Sequence, residues 1–392
     1  MILLKKIAIT IPMTNIFTSK KTIFLLFFLS FCNAFWAQNI QLSKEAKVSV
    51  ITCGLGNESY SLFGHTAIRI KDNINFVDAV YNYGAFDFNT PNFVPKFAKG
   101  DLQYFAVVNR YTDFLNQYAY ENRSVDEQEL QIPLEYKQKL FENLNTSLAS
   151  GDSHYTYKFI DKNCTSMVVD IINKTLGSPV ITKKTDTELT YRTILYPYFD
   201  HHFYEKLGTS IIFGSKVDAL GTKLFLPLEL QKSLKLIQYK NHALAPENKT
   251  ILHFEASHPN SWWNTIYSYL IIIALIVIWN KKGTHYGYFS IMGFLGLFFL
   301  FMGFYSNHLE LANNYNILLF NPSLLLLGIF YMKQNKIWSY RLSLFNLFSL
   351  LVYLGFMFNK VHLLLVLPLI VTSVYFLIQI ALKNKKAIPI II

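Results

Sequence analysis

Residues 155–177 read YTYKFIDKNCTSMVVDIINKTLG. A short strand-like run, Tyr155 to Ile160, leads through the polar turn Asp161–Lys162–Asn163 to Cys164. A helix then starts: Met167, Val168, Ile171, Ile172 and Leu176 repeat at helical spacing, and Gly177 is a stop signal. A cysteine at a helix start faces unpaired backbone N–H groups and the positive end of the helix dipole, both of which favour the thiolate. Lys162 adds positive charge. Asp161 and Asn163 also suit plain capping or turn roles. The chain has three cysteines, Cys32, Cys53 and Cys164, with no CxxC pair and too few for a disulfide scaffold. A disulfide to Cys53 and an inert packed thiol are the two structural alternatives for Cys164.

The segments upstream of this stretch predict an α+β domain. Lys47 to Cys53 alternates and is β-branched; Thr66 to Ile70, Phe76 to Tyr83 and Leu102 to Val108 are further strand candidates. Thr90 to Lys99, Tyr111 to Glu121 and Glu135 to Ala149 read as helices, as do Glu188 to Tyr204 and Leu228 to Ile237 downstream. His65 opens a strand after Gly64. It shares a strand face with Ala67 and Arg69, while Ile68 and Ile70 point the other way, toward a core. A nucleophilic cysteine needs a base, an orienter for that base and oxyanion donors. His65 is the candidate base and Asn82 the candidate orienter, with Asp78 on the same face. The Cys164 backbone N–H and the Asn163 side chain are candidate oxyanion donors; Tyr83 and Arg69 are further candidates for substrate or oxyanion contact. No histidine spacing suits a metal, and His201–His202 point apart in any regular element. No metal and no cofactor is expected.

The remainder of the chain is apolar. Five segments, about Trp263 to Trp279, Tyr288 to Tyr305, Ile317 to Met332, Leu342 to Phe358 and Leu363 to Leu382, approach bilayer-spanning length, about 20 residues. The net charge is +11, and much of the basic charge flanks apolar segments, at Lys20, Lys21, Lys281, Lys282, Lys333, Lys336, Arg341, Lys383, Lys385 and Lys386. That pattern points to anionic lipid rather than nucleic acid, for which no motif is present. With the first segment running inward, those C-terminal cations fall in the cytoplasm, and the opposite loops are nearly free of Lys and Arg. At the N-terminus, Lys20–Lys21, the apolar run Thr22 to Phe31 and the small residues Ala34 and Ala37 describe a secretory signal, cleaved after Ala37 or retained as an anchor. The expected organisation is residues 1–37 signal or anchor, 38–260 periplasmic catalytic domain, and 261–392 a five-helix membrane domain of an inner-membrane protein with a cytoplasmic C-terminus.

Four strings, LFGHTAIRI (62–70), YNYGAFDF (81–88), KFAKGDLQYF (96–105) and DKNCTS (161–166), together resemble the Lnb-like family of Bacteroidota, named for lipoprotein N-acyltransferase activity. The resemblance implies a periplasmic N-terminal domain and a five-helix membrane domain. Its NYG element falls on Asn82, Tyr83 and Gly84, and its outer loop on His308, Asn314 to Asn316 and Asn321–Pro322, which would bind lipid near the headgroups or simply end helices. The order of a histidine first and a cysteine later at a helix start is also similar to circularly permuted papain-like enzymes, the permuted NlpC/P60 relatives and the lecithin:retinol acyltransferase group. That likeness puts the nucleophile on Cys164 and the base on His65. The expected reaction moves an acyl chain from a membrane phospholipid through a Cys164 thioester to the α-amine of a lipoprotein diacylglyceryl-cysteine. A membrane-anchored cell-wall cysteine peptidase or amidase, and a non-catalytic membrane scaffold, are the rival readings.

Overall fold

Val48, Val50, Ile51 and Cys53 are all out of solvent, so the first strand, β1 (Lys47–Cys53), is covered on both faces. The computed structural model describes residues 40–58, 60–255 and 261–385; the expected signal or anchor segment with Lys20 and Lys21, and Cys32, lie outside them. β1 pairs antiparallel with β2 (His65–Asp72), Val50 opposite Ile68, and β2 with β3 (Val77–Ala85), Ala67 opposite Asn82. β4 (Gln103–Arg110), β5 (Val125–Glu129), β6 (Tyr155–Thr156) and β9 (Lys249–Leu252) complete a seven-stranded sheet of order β6-β4-β3-β2-β1-β5-β9. A separate two-stranded ribbon joins β7 (Gln238–Tyr239) to β8 (His242–Ala243).

Strand alternation sends the two residue sets to opposite faces. Val48, Val50, Ile68, Ile70, Tyr81 and Tyr83 pack on Leu140 and Leu144 of α3 (Leu134–Ser150) and on Val168 and Ile172 of α4 (Cys164–Leu176). Ile51, Cys53, Ala67 and Val80 lie under Phe114 and Tyr118 of α2 (Tyr111–Tyr120). A short helix, α1 (Phe93–Lys99), precedes β4. Two expected elements are cut short. The strand expected over Tyr155 to Ile160 pairs only at Tyr155–Thr156, because Lys158 and Lys162 then close a tight turn through reciprocal backbone bonds of 2.9 and 3.0 Å. The helix expected over Glu188 to Tyr204 is broken into α5 (Tyr191–Leu195), a 3₁₀ turn and α6 (Phe203–Ile212). The break follows Pro197, which has no N–H to donate, and includes His201 in the left-handed region at φ 62°. A further helix, α7 (Pro227–Leu234), caps the α4 side.

The C-terminal region is helical: α8 (Ile266–Ile278), α9 (Lys282–Tyr305), α10 (Ser323–Met332), α11 (Lys336–Met357) and α12 (Leu363–Asn384). Among the described residues four segments are long and apolar enough to cross a membrane: 282–305, 309–332, 336–357 and 363–384. Five helices are present, and length and composition support four of the five expected spans. α8 has 13 residues, which rises only about 20 Å against a hydrocarbon core of about 30 Å. Segment 309–332 is not one helix either, because 3₁₀ turns at Leu309–Leu311 and Tyr315–Leu318 precede α10.

The loop after α9 is also placed differently from the expectation of headgroup contact or simple helix ending. His308, Glu310, Asn314 and Asn316 are buried against the N-terminal domain. The Asn314 amide donates to the carbonyls of Ile211 and Ile212, both at 2.9 Å. Asn316 donates to Ile211 at 3.0 Å and Tyr315 to Asp218 at 2.6 Å. Gly214 permits this approach: a Cβ there would sit 1.9 Å from the Ala312 carbonyl oxygen.

Candidate active site

α4 starts where it does because Asn163 caps it. The Asn163 side-chain oxygen accepts from the N–H groups of Thr165 and Ser166 at 3.0 and 3.1 Å, and Ser166 Oγ accepts from the Asn163 N–H at 2.8 Å. This is a reciprocal capping box. The Asn163 amide nitrogen is also committed, to the carbonyls of Phe159 (2.8 Å) and Phe225 (2.9 Å). Both its hydrogens are therefore used, which removes Asn163 as an oxyanion donor and makes it the residue that fixes the start of the helix. Cys164 is left as the first helical residue.

The thiol meets His65. Burial pushes the Cys164 pKa up, but four influences outweigh it and leave the thiol below its ordinary value. In order these are the His65 charge, a hydrogen bond to the His65 ring, the Thr66 backbone N–H and the Thr165 hydroxyl. The Thr165 Oγ1 lies 3.9 Å from the sulfur and shares a 3.0 Å hydrogen bond with the Thr66 hydroxyl, tying the helix start to the strand that carries His65. Lys162, expected to help the thiolate, instead lies over the Tyr155 ring at 5.7 Å.

His65 Nε2 is 3.2 Å from Asn82 Oδ1. An amide oxygen can only accept, so this contact holds the ring proton on Nε2 and leaves Nδ1 as the nitrogen that accepts from the thiol. Asn82 is held in turn by donating to Asn109 Oδ1 at 2.8 Å. The register explains the placement: Asn82 stands opposite Ala67, one step along the His65 face, and Asn109 comes from the next strand. Beyond Asn82 the β3–β4 pairing shifts register between Tyr83 and Ala85. Gly84, at φ 122°, sits beside the reactive pair, and a Cβ there would be 3.6 Å from Cys164 Cβ and 3.7 Å from His65 Cε1. The residue that keeps space beside both groups is thus one that an L side chain would strain.

Two other candidates lie elsewhere. Arg69 is on the His65 face but further along the strand. Its donors go to Asp78 (2.7 and 2.9 Å) and Glu127 (2.8 Å), and its guanidinium stacks on Tyr111. Tyr83 points to the opposite face, into the core between sheet and helices, with its hydroxyl bonded to Ser147. The period of two along β3 separates Tyr83 from the pocket, and Arg69 is separated by its distance along β2. Cys53 and Cys164 are both free thiols. Cys53 is sealed under α2 next to Tyr118, and burial pushes its pKa to about 12. Among the described residues no disulfide competes for Cys164.

Cys164, His65, Asn82 and Gly84 open into a cavity of about 740 Å³. About half of its wall is aromatic, including Phe63, Phe86, Phe93, Tyr104, Tyr157 and Phe159, and a polar stretch carries Asn109, Gln117, Glu121 and Arg123. The volume is that of a small-molecule site. Asn109 and the Thr66–Thr165 link are missing from the sequence reading. Asn109 was legible in principle as the inward residue on the strand next to Asn82; the threonine link needed the helix-to-strand packing. Among the described residues no cluster of His, Cys, Asp and Glu is arranged to hold a metal ion. The arrangement is that of a thiol activated by an imidazole and opening on an apolar chamber, suited to attack on a carbonyl carbon.

Comparison with curated proteins and with solved structures gives no match. Residues 34–196 match the family model described as the Lnb N-terminal periplasmic domain, a span that contains His65, Asn82 and Cys164. With the four apolar candidate spans, the match to the Lnb N-terminal periplasmic domain supports an Lnb-like family assignment and an inner-membrane protein of the Lnb type.

Proposed function

We propose that this protein is a thiol-dependent lipoprotein N-acyltransferase, with Cys164 as nucleophile, His65 as base and Asn82 as the orienter of His65. One observation carries the reading: a helix-start thiol, lowered in pKa by an imidazole held through Asn82, opens on a cavity whose wall is about half aromatic. His65 takes the thiol proton as Sγ attacks the ester carbonyl of a phospholipid. The C–S bond forms, the ester C–O bond breaks, and the lysophospholipid leaves with that proton. The α-amine of a diacylglyceryl-cysteine then attacks the thioester carbonyl. A C–N bond forms, the C–S bond breaks, and His65 returns an amine proton to sulfur. The Cys164 N–H is the first-turn amide not taken up by Asn163, and it serves the oxyanion.

Orientation follows from charge. Ser306 to Asn316, which docks on the N-terminal domain, has no Lys or Arg, and the next loop on that side has only Lys360. Lys281, Lys282, Lys333, Lys336, Arg341, Lys383 and Lys385 cluster at the opposite helix ends, so these and the C-terminus are cytoplasmic. The permuted papain-like relation is part of the same proposal. It is supported by a strand-borne histidine that precedes a helix-borne cysteine in the chain. An apolar chamber and four spans favour lipid substrates over the soluble peptides of a cell-wall peptidase. The test is mass spectrometry of a lipoprotein N-terminus from cells with the protein, without it, and with Cys164→Ala. N-acylation is expected in the first alone. Full N-acylation in the Cys164→Ala cells rejects the reading.

A further inference from the structure

We propose that the aromatic half of the Cys164 cavity is a slot for one acyl chain of a membrane phospholipid, and that α1 with Phe88 forms its entrance from the bilayer. The inference rests on the acyltransferase reading and adds the route and the residues. The slot wall is continuous. Tyr104 and Tyr157 stack at 4.5 Å between ring centres, Phe86 lies 5.0 Å from Tyr104 and 5.8 Å from Phe93, and Phe88 lies 4.8 Å from Phe86. At its inner end Tyr104 and Tyr157 line the same cavity as Cys164.

At its outer end the apolar surface is uncovered. Phe88 and Val94 are each 70% exposed and Phe97 43%. Exposed clusters of this kind mark interaction surfaces. What covers them follows from where α1 is tied. The Asn307 N–H donates to the Lys99 carbonyl at 2.8 Å, Ser306 Oγ to Ala98 at 2.7 Å, and His308 Nε2 to Phe97 at 3.0 Å. Ser306 is the residue that ends α9, a candidate span whose last turns leave Phe301, Phe304 and Tyr305 exposed. The mouth therefore continues the lipid-facing surface of a span at the level where hydrocarbon gives way to headgroups. Lys96 in the last turn of α1 puts positive charge beside anionic phosphates, while Lys99 is paired with Asp101. A chain entering here leaves one apolar medium for another, so its ester reaches the sulfur without crossing water.

Cys164 acylation is followed by intact-protein mass spectrometry of the full-length protein, with two donors supplied separately. One is vesicles of phosphatidylethanolamine and phosphatidylglycerol; the other is soluble p-nitrophenyl acetate. Phe88→Glu with Val94→Glu is expected to lower the vesicle-to-ester ratio of Cys164 acylation by about tenfold or more, because charge at the mouth bars the bilayer but not a small ester. An unchanged ratio overturns the slot while leaving the acyltransferase reading standing. Wild-type protein acylated by neither donor removes that reading, and the slot with it. Independently of the double variant's folding, Cys164→Ser protein in vesicles carrying a diazirine-labelled acyl chain is expected to cross-link within residues 86–104. Cross-links confined to residues 266–384 overturn the proposal.

Discussion

Replacing His65 by alanine separates a poised thiolate from a packed thiol. In the wild-type protein burial raises the Cys164 pKa, and the His65 charge and ring hydrogen bond are the two largest influences opposing it. Without them only the Thr66 N–H and the Thr165 hydroxyl remain on the lowering side. The substitution is therefore expected to carry the thiol from below its ordinary value to above it. Each pH unit between the two midpoints is worth about 1.4 kcal/mol and about a tenfold difference in thiolate at neutral pH. The assay is the pH dependence of iodoacetamide labelling, read peptide by peptide by mass spectrometry. Cys53, pushed to about 12 and sealed from solvent, serves as the internal control and stays unlabelled in the folded protein. The expected result is a wild-type midpoint below that of a free cysteine peptide and a His65→Ala midpoint above it. A His65→Ala midpoint at or below the wild-type one refutes the assignment of His65 as the group that poises the sulfur.

Asn82→Ala removes the acceptor on His65 Nε2, 3.2 Å away. Losing a neutral hydrogen bond of about 1 kcal/mol, and with it control of the tautomer, is expected to slow Cys164 acylation by roughly tenfold with the circular dichroism spectrum unchanged; an unchanged acylation rate rejects the orienter role. Glu310→Ala leaves the Ile160 N–H without the carboxylate that now accepts it at 3.2 Å and takes one of two carboxylates from Lys216. The expected cost is about 1–3 kcal/mol, seen as a lowered melting temperature, and an unchanged melting temperature contradicts it. Asp72 gathers the N–H and hydroxyl of Ser43 and the amide of Asn75; burial opposes its ionisation but these bonds outweigh it, holding the carboxyl to about 2. A carboxyl lowered on folding stabilises the fold above its unfolded pKa and loses that contribution as pH falls through the folded one, so an acid melt of Asp72→Asn is expected to lack a component between about pH 4 and 2 that the wild type shows.

The first four strands, the helix caps and the Cys164–His65 meeting were legible because they obey local rules. Lys47–Cys53 is rich in β-branched residues, Gly177 sits at φ 77° just past α4, and a thiol at a helix start is a placement that sequence alone reveals. What escaped had its cause elsewhere in the chain. β5 reads Val-Asp-Glu-Gln-Glu and shows no apolar alternation; its position comes from pairing with β1 and from Glu127 and Glu129 meeting Arg69 and Lys47. Arg69 and Tyr83 were natural site candidates by proximity in sequence, yet one is consumed by two carboxylates and the other lies on the opposite face. The role of Asn163 was undecidable from spacing, since a cap and an oxyanion donor need the same residue at the same place, and only its four partners distinguish them. The helix lengths in the membrane region were hidden for a related reason: hydropathy measures apolar content, whereas α8 stops after 13 residues and residues 309–322 turn aside to meet the other domain.

That turning aside changes what the C-terminal region is for. A tether would need one span and a slack linker, because a flexible connection leaves a soluble enzyme free to find its substrate. Here the connection is a set of buried, directional bonds, and it converges on the segment that presents the nucleophile. Glu310 accepts from the backbone of Ile160, four residues before Cys164, and Lys216 lies between Glu310 and Asp161, which also holds Lys223. On the other side of the cavity the same loop fastens α1 through Ser306, Asn307 and His308. One loop from the membrane region thus braces both the turn behind the sulfur and the wall in front of it. A displacement of about 1 Å at a reacting centre is enough to cost two orders of magnitude in rate. An enzyme whose acyl donor lies in the bilayer gains most by fixing that distance with respect to the bilayer itself, and bonds from the end of a span to the two sides of the site do so.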